Sequence, residues 1–218
     1  MWPCYLHGYA DNRGGARYVA AVMLAVPPRQ ELRIRPIETS RLLLSPIDTS
    51  DARDLWAAVD ASRAHLEPWL PWVPFNVDAE ASFRYAEASA SDWDNARACR
   101  FGIRDRIGRR LIGVVGLEAF AHLHQSVELG YWLRSDTCRK GFMTEAARAT
   151  VEWALRTLQA HRVRVAAATD NHASLGVIRR IGFHFEGIAR QAERCNGRWL
   201  DHAVFALLSP DVIDLRPT

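Results

Sequence analysis

The stretch that most constrains this chain runs from residue 127 to residue 160, where a short apolar run leads into a one-faced helix. Residues 127–133 read as a strand. Over 145–160, Ala147, Val151, Leu155 and Leu158 recur at helical spacing while Arg148, Glu152, Arg156 and Gln159 fall elsewhere. A strand feeding such a helix needs a sheet for the helix to cover. Between them lie Arg139, Lys140 and Gly141. A helix that begins here presents backbone N–H groups without intrahelical partners, and its dipole favours negative charge, so the place suits a phosphate. Gly141 removes the side chain where a ligand would approach, though by itself it need do no more than make the turn, with Arg139 and Lys140 as solvated surface.

The rest of the chain supplies the sheet. Residues 37–44 read as an opening strand closed by Ser45, Pro46 and Asp48, after which Ser50 or Asp51 caps a helix carrying Leu55, Trp56 and Val59. Three prolines in residues 68–75 break regular structure and leave an aromatic loop with Trp69, Trp72 and Phe75. A second helix is expected over 78–95, then strands at 99–104, 111–120 and 127–133, the first two joined by a hairpin turn containing Gly108. After the helix at 145–160 come a strand at 163–169, a helix at 173–180 stopped by Gly182, and strands at 183–189 and 202–208 joined through Asn196 and Gly197. One α+β domain over 32–210 accommodates this order. Residues 1–31 read as an N-terminal extension, unstructured or partly preceding a start at Met23, and 211–218 as a tail.

Composition narrows the classes. A net charge of +3 without a run of like charges argues against a nucleic-acid partner. Cys4, Cys99, Cys138 and Cys195 are far apart and form no CxxC pair, against both a zinc site and a disulfide framework; a reducing cytoplasm is the simplest setting. The apolar residues 18–26 end in Pro27 and Pro28 and are too few to span a bilayer, so no membrane partner is expected. His122 and His124 have no third ligand at suitable spacing and read as a loop pair, and Cys138 lacks the His and Asp arrangement of an acyl-enzyme nucleophile.

Six segments in order resemble one family. Residues 38–44 (ETSRLLL) resemble the opening strand of the GNAT superfamily's RimJ/RimL branch, the ribosomal-protein N-terminal acetyltransferase type; Trp69, Leu70, Pro71 and Trp72 resemble its aromatic loop, and Glu128, Leu129, Gly130, Tyr131, Trp132 and Leu133 its fourth strand. Residues 141–146 (GFMTEA) resemble its pyrophosphate turn, 170–174 (DNHAS) with Gly182 and Phe183 its last helix, and 196–202 (NGRWLDH) its final turn and strand. The family signature Q/R-x-x-G-x-G/A falls on residues 138–143, departing at Cys138 and at Met143.

The resemblance implies a GNAT fold: α+β in three layers, a mixed, mostly antiparallel sheet of about seven strands, helices on both faces, and a splay between the fourth and fifth strands. It implies acetyl-CoA as cosubstrate, no metal, and direct attack of an amine on the thioester. Arg139, Lys140, Gly141, Phe142, Met143 and Thr144 would hold the pyrophosphate, backbone N–H groups near Trp132 and Leu133 would face the oxyanion, and Asn171 would contact pantetheine. Ser174 matches the serine placed near the CoA sulfur, because the superfamily's usual tyrosine position here is Ile178. Helix capping is the alternative account of Asn171 and Ser174. Glu128 is the expected base, acting through water, with Glu118 second. Trp56, Trp69, Trp72 and Trp93 would overhang the acceptor cleft or serve as core. The acceptor is a protein N-terminal amine, or alternatively a small amine such as an amino acid, polyamine or antibiotic; a non-catalytic acyl-CoA sensor is the third reading. The branch leaves room for a homodimer.

Overall fold

Apolar residues alternating with period two place one twisted sheet at the centre of the protein. The computed structural model describes residues 23–209. The strands are β1 Ile37–Glu38, β2 Leu42–Pro46, β3 Cys99–Asp105, β4 Leu111–Ala121, β5 Ser126–Leu133, β6 Arg162–Ala168, β7 His184–Cys195 and β8 Arg198–Leu208. They form one eight-stranded sheet in the order β1-β2-β3-β4-β5-β6-β8-β7. All neighbours are antiparallel except β5 and β6.

The helices are α1 Arg29–Ile34, α2 Ala52–Asp60, α3 Arg63–Leu66, α4 Ala79–Asp94, α5 Phe142–Arg156 and α6 His172–Ile181. Phe101, Val115, Leu117 and Leu129 point to the face where Ala146, Ala147 and Val151 of α5 and Leu175 and Ile178 of α6 are buried. On the opposite face Val114 packs with Leu55 and Ala58 of α2 and Ala86 of α4. The result is the expected three layers.

The opening strand departs from expectation by splitting. Thr39, Ser40 and Arg41 leave the sheet between β1 and β2 because all three donate hydrogen bonds to Glu145 of α5. The split gives eight strands instead of about seven, and places the splay between β5 and β6. These two pair only through Ser126↔Arg162, Val127↔Val163 and Glu128↔Arg164. Beyond Glu128, β6 stays with β8 as far as Ala168↔His202, and β5 stays with β4, so the far edge of residues 129–133 has no strand partner.

Two further boundaries differ. Asp48 caps a 3-10 turn at Thr49–Asp51 that leads into α2 by accepting from the Ser50 N–H, and Asp51, the N-cap residue of α2, completes the capping box by accepting from the Asp48 N–H. Residues 23–31, assigned above to the extension, pack on the domain: Leu24 is 5% exposed, the Ala25 N–H donates to the Leu158 carbonyl at 2.9 Å, and the Trp93 indole donates to the Pro27 carbonyl at 3.0 Å. An apolar anchor, one backbone hydrogen bond and one from the Trp93 side chain hold the segment to the domain. Residues 1–22 and the tail 211–218 lie outside the described residues. Among the described residues no helix is long and apolar enough to cross a membrane.

Gly113 marks the tightest approach in the sheet. A Cβ there would stand 2.3 Å from the Trp132 carbonyl oxygen and 2.7 Å from Leu133 Cδ2. Gly113→Ala is therefore expected to lower stability by roughly 3 kcal/mol, the upper end for overpacking against backbone. Urea denaturation reads this directly, and an unchanged midpoint would show that β4 and β5 can separate freely.

Candidate functional site

β5 ends at Leu133 and the chain passes through a 3-10 turn at Ser135–Thr137 to Gly141, the N-cap of α5. Gly141 is left-handed at φ 79°, and so is Arg139 at φ 61°. α4 and α6 are capped by the side chains of Asp78 and Asn171, whereas α5, like α1, α2 and α3, has no side-chain cap. Its first N–H groups are thus left open toward the exposed side of Arg139, Lys140 and Gly141. Met143 and Phe142 turn the other way, Met143 into the core and Phe142 beneath the Arg41 guanidinium at 4.7 Å. This starts the helix three residues before the expected 145. Thr144 is half-buried behind the turn.

The turn is buttressed from β2. Arg41 donates to the Lys140 carbonyl at 2.9 Å and pairs with Glu145 at 2.6 Å. Burial would raise the Glu145 carboxyl, but hydrogen bonds from Thr39, the Arg41 N–H and guanidinium, and Ser40 outweigh it and hold the group below its ordinary value of 4.5. A lowered folded-state value stabilises the protein above the ordinary carboxylate range, and the contribution is lost as pH falls through the lowered value. Glu145→Gln should therefore cost about 2 kcal/mol at pH 7, with the difference from wild type closing below roughly pH 4. A difference that stays constant down to pH 3 in chemical denaturation would refute the ionic account.

The second feature is a cleft of about 490 Å³ between the sheet and helices α2 and α4. Its floor includes Gly116 and Gly130, which face each other across β4 and β5. A Cβ at Gly130 would meet nothing within 4 Å, whereas one at Gly116 would stand 3.1 Å from Glu118 Oε1 and 3.2 Å from Arg100 Cγ, so a side chain there would press on the Glu118–Arg100 pair. Leu55, Val59, Tyr85, Trp72 and Trp132 form apolar walls, with the Trp72 and Trp132 rings 6.1 Å apart. Of Trp56, Trp69, Trp72 and Trp93, only Trp72 lines the cleft. Trp93 stacks edge-on with Phe101 in the core, and Trp69 packs on Cys195 and Leu200 of the β7–β8 hairpin.

Among the described residues, one carboxylate lines the cleft, and it is Glu118. It is held by Arg100 through two hydrogen bonds of 2.7 Å, and Arg100 also donates to Asp92 at 2.8 Å. Burial acts to lower the Arg100 guanidinium's value, but these two carboxylates more than compensate and raise it. Burial likewise pushes the Tyr85 phenol up to about 12. Glu128, the expected base, lies directly opposite Glu118 in the register but is not among the lining residues; its carboxylate is drawn to Arg164 on the parallel neighbour β6.

The third feature spans the splay. Asn171 Oδ1 accepts from the Ser174 N–H at 3.1 Å, so the capping role is real and uses only the amide oxygen. The Ser174 hydroxyl lies 2.8 Å from the Tyr131 hydroxyl, which also donates to the Ser174 carbonyl at 3.2 Å. Ile178 is wholly buried in the core. Trp132 faces the cleft and Leu133 the core, both on the edge without a strand partner. Cys138 does have a histidine beside it, His65 Nε2 at 3.5 Å, which sequence spacing does not show. Its thiol donates to the Arg134 carbonyl and burial raises it, so it rests protonated. His122 bonds the Ala96 carbonyl, and among the described residues no three His, Cys, Asp or Glu groups gather as metal ligands.

Arg41, Arg100, Tyr131 and the Gly116–Gly130 floor were not found from sequence. Only the last had a legible signal, two glycines in equivalent positions of adjacent strands. The open end of α5, the unpaired edge of β5 and the amide of Asn171 together suit a long donor carrying phosphates at one end and carbonyl groups along its length.

Known proteins are similar to this chain in sequence and fold. The family described as "Acetyltransferase (GNAT) domain" matches residues 41–184. Probable N-acetyltransferase YjcK of Bacillus subtilis (strain 168) is 41% identical over 112 residues, 51% of this chain but 62% of YjcK, less than two thirds of that relative. The ribosomal protein uS5-alanine N-acetyltransferase of Escherichia coli (strain K12) is 27% identical over 177 residues, covering 80% of this chain and 91% of its own. Among solved structures, RimL, a ribosomal L7/L12 alpha-N-protein acetyltransferase in complex with coenzyme A, superposes with a TM-score of 0.75 at 25% identity, over 78% of this chain and 95% of that one.

Proposed function

The chain belongs to the GNAT acetyltransferase family, and from that premise we propose that it transfers the acetyl group of acetyl-CoA to the α-amine at a protein N-terminus. The observation that carries the acceptor is the rim of the cleft. Phe75 and Trp72, which both line the cleft, are 79% and 36% exposed. Apolar side chains in that position give an acceptor something to lie on beyond its first residue. The names of the uS5-alanine and L7/L12 relatives point the same way.

Each residue then has a task. The backbone of Arg139, Lys140, Gly141, Phe142, Met143 and Thr144 takes the pyrophosphate, with the two basic side chains adding positive charge. The amide of Asn171 meets pantetheine, and the free edge of β5 at Trp132 and Leu133 faces the oxyanion. Glu118, because it lines the cleft, receives the ammonium proton directly or through water, in preference to Glu128. Ser174 hydrogen-bonds the departing sulfur. The protein's setting is the cytoplasm, in line with unpaired Cys99, Cys138 and Cys195; it works without nucleic acid or membrane, and light scattering tests whether it forms a homodimer.

The decisive assay is thiol release from acetyl-CoA with N-terminal peptides of increasing length, free amino acids, polyamines and aminoglycosides. Peptides should exceed the corresponding amino acid by about tenfold in kcat/KM, some 1.4 kcal/mol of added contact. Preference for free small amines overturns the acceptor, and binding of acetyl-CoA without thiol release across the panel overturns catalysis in favour of a sensor.

A further inference from the structure

We propose that Tyr131 is the positioning residue for the Ser174 hydroxyl, supplying from strand β5 the phenol that this chain lacks on helix α6. The inference rests on the reading that Ser174 faces the departing sulfur, and deepens it. β5 and β6 diverge after Glu128↔Arg164. Tyr131 lies beyond that point on β5, and Ser174 lies in the first turn of the helix that follows β6. Their contact therefore crosses the opening of the splay, where a thioester carried between the two strands must be cleaved. Tyr131 stands between Gly130 and Trp132, with which it lines the acceptor cleft, while its hydroxyl reaches α6 on the other face of the sheet.

The hydrogen-bond arithmetic makes the pair directional. The Ser174 carbonyl can only accept, so at 3.2 Å the phenol must be the donor. At 2.8 Å from the Ser174 oxygen, the same phenol can instead donate to the hydroxyl. When it does, the serine's own proton is released to point at a third atom. A hydroxyl that receives one hydrogen bond donates a stronger one. Burial pushes the Tyr131 phenol up to about 12, so it remains a protonated donor throughout the neutral range. Asn171 fixes the other side of Ser174 by accepting from its N–H.

Neither hydroxyl needs to ionise. The C–N bond forms as the amine attacks, the C–S bond breaks, and its electron pair goes to sulfur. The ammonium gives up one proton before attack, to Glu118 or water, and a second from nitrogen as the amide forms. That second proton neutralises the thiolate, and Ser174 donates a hydrogen bond to the sulfur as its charge develops.

A merely structural tie between β5 and α6 would look the same in the structure, and kinetics separate the two. Tyr131→Phe, Ser174→Ala and the double variant are compared with acetyl-CoA and whichever amine proves the best acceptor. The proposal expects Tyr131→Phe to lose about tenfold in kcat, the scale of one hydrogen bond, with KM for acetyl-CoA within about twofold. The double variant should be no slower than Ser174→Ala, because Tyr131 acts only through that hydroxyl. Ser174→Thr should keep more kcat than Ser174→Ala and remain sensitive to Tyr131→Phe. If the two losses multiply, or if Tyr131→Phe changes only melting temperature and KM, the proposal is overturned while the role of Ser174 stands. If Ser174→Ala has wild-type kcat, the role of Ser174 itself falls and the proposal falls with it.

Discussion

Gly141→Asp is expected to weaken coenzyme A binding by at least a hundredfold, about 3 kcal/mol by the usual conversion. Two effects combine. Gly141 sits at φ 79°, where a side chain costs about 1 kcal/mol, and a Cβ would stand 3.4 Å from Arg41 Nη2. The larger effect is charge: a carboxylate at the uncapped start of α5 occupies the positive end of the helix, satisfies N–H groups meant for an anion, and repels phosphate by a few kcal/mol at an effective dielectric near 20. Gly141→Ala separates the contributions, since it keeps the strain without the charge and should lose no more than about tenfold. Calorimetry at two salt concentrations completes the argument, because only the charge part should shrink with salt. Wild-type affinity in Gly141→Asp would remove the pyrophosphate assignment altogether.

Glu118→Gln should lower kcat by about a hundredfold or more while leaving coenzyme A affinity within a factor of about two. Glu128→Gln should stay within about threefold in both, because Glu128 pairs with Arg164 outside the cleft lining. The first variant has a structural side effect that must be measured alongside. Arg100 is largely buried, and removing the Glu118 charge leaves it only Asp92, so a loss of thermal stability will accompany the kinetic effect. Assays well below the melting temperature keep the two apart. A large kcat loss in Glu128→Gln with Glu118→Gln near wild type would return the base to Glu128.

Much of this protein is local and therefore legible. Ala147, Val151 and Leu155 repeat at 3.6 residues because one face of α5 lies on the sheet, and all three contact the core. The error at its start came from Gly141: a left-handed glycine with no capping side chain gives no start signal, yet the helix begins at the next residue. The β7–β8 hairpin was read too short for the opposite reason. Residues 190–194 are mostly exposed on the edge strand, so no apolar alternation marks them, and their pairing with β8 is a backbone property. Neighbouring positions can predict an element only when burial imposes a period on it.

The site divides along the same line. By itself the sequence determined the order of the elements, the turn at residues 139–144 ahead of α5 and the capped helix carrying Asn171 and Ser174, because each depends on residues adjacent in the chain. Only the tertiary structure decided that Arg41 braces that turn, that Glu118 and not Glu128 lines the cleft, and that Tyr131 meets Ser174 across the splay. Those contacts depend on strand register and on which neighbour draws a charged side chain away. Both are settled by packing between segments far apart in the chain, whose separation leaves no periodic trace in the sequence.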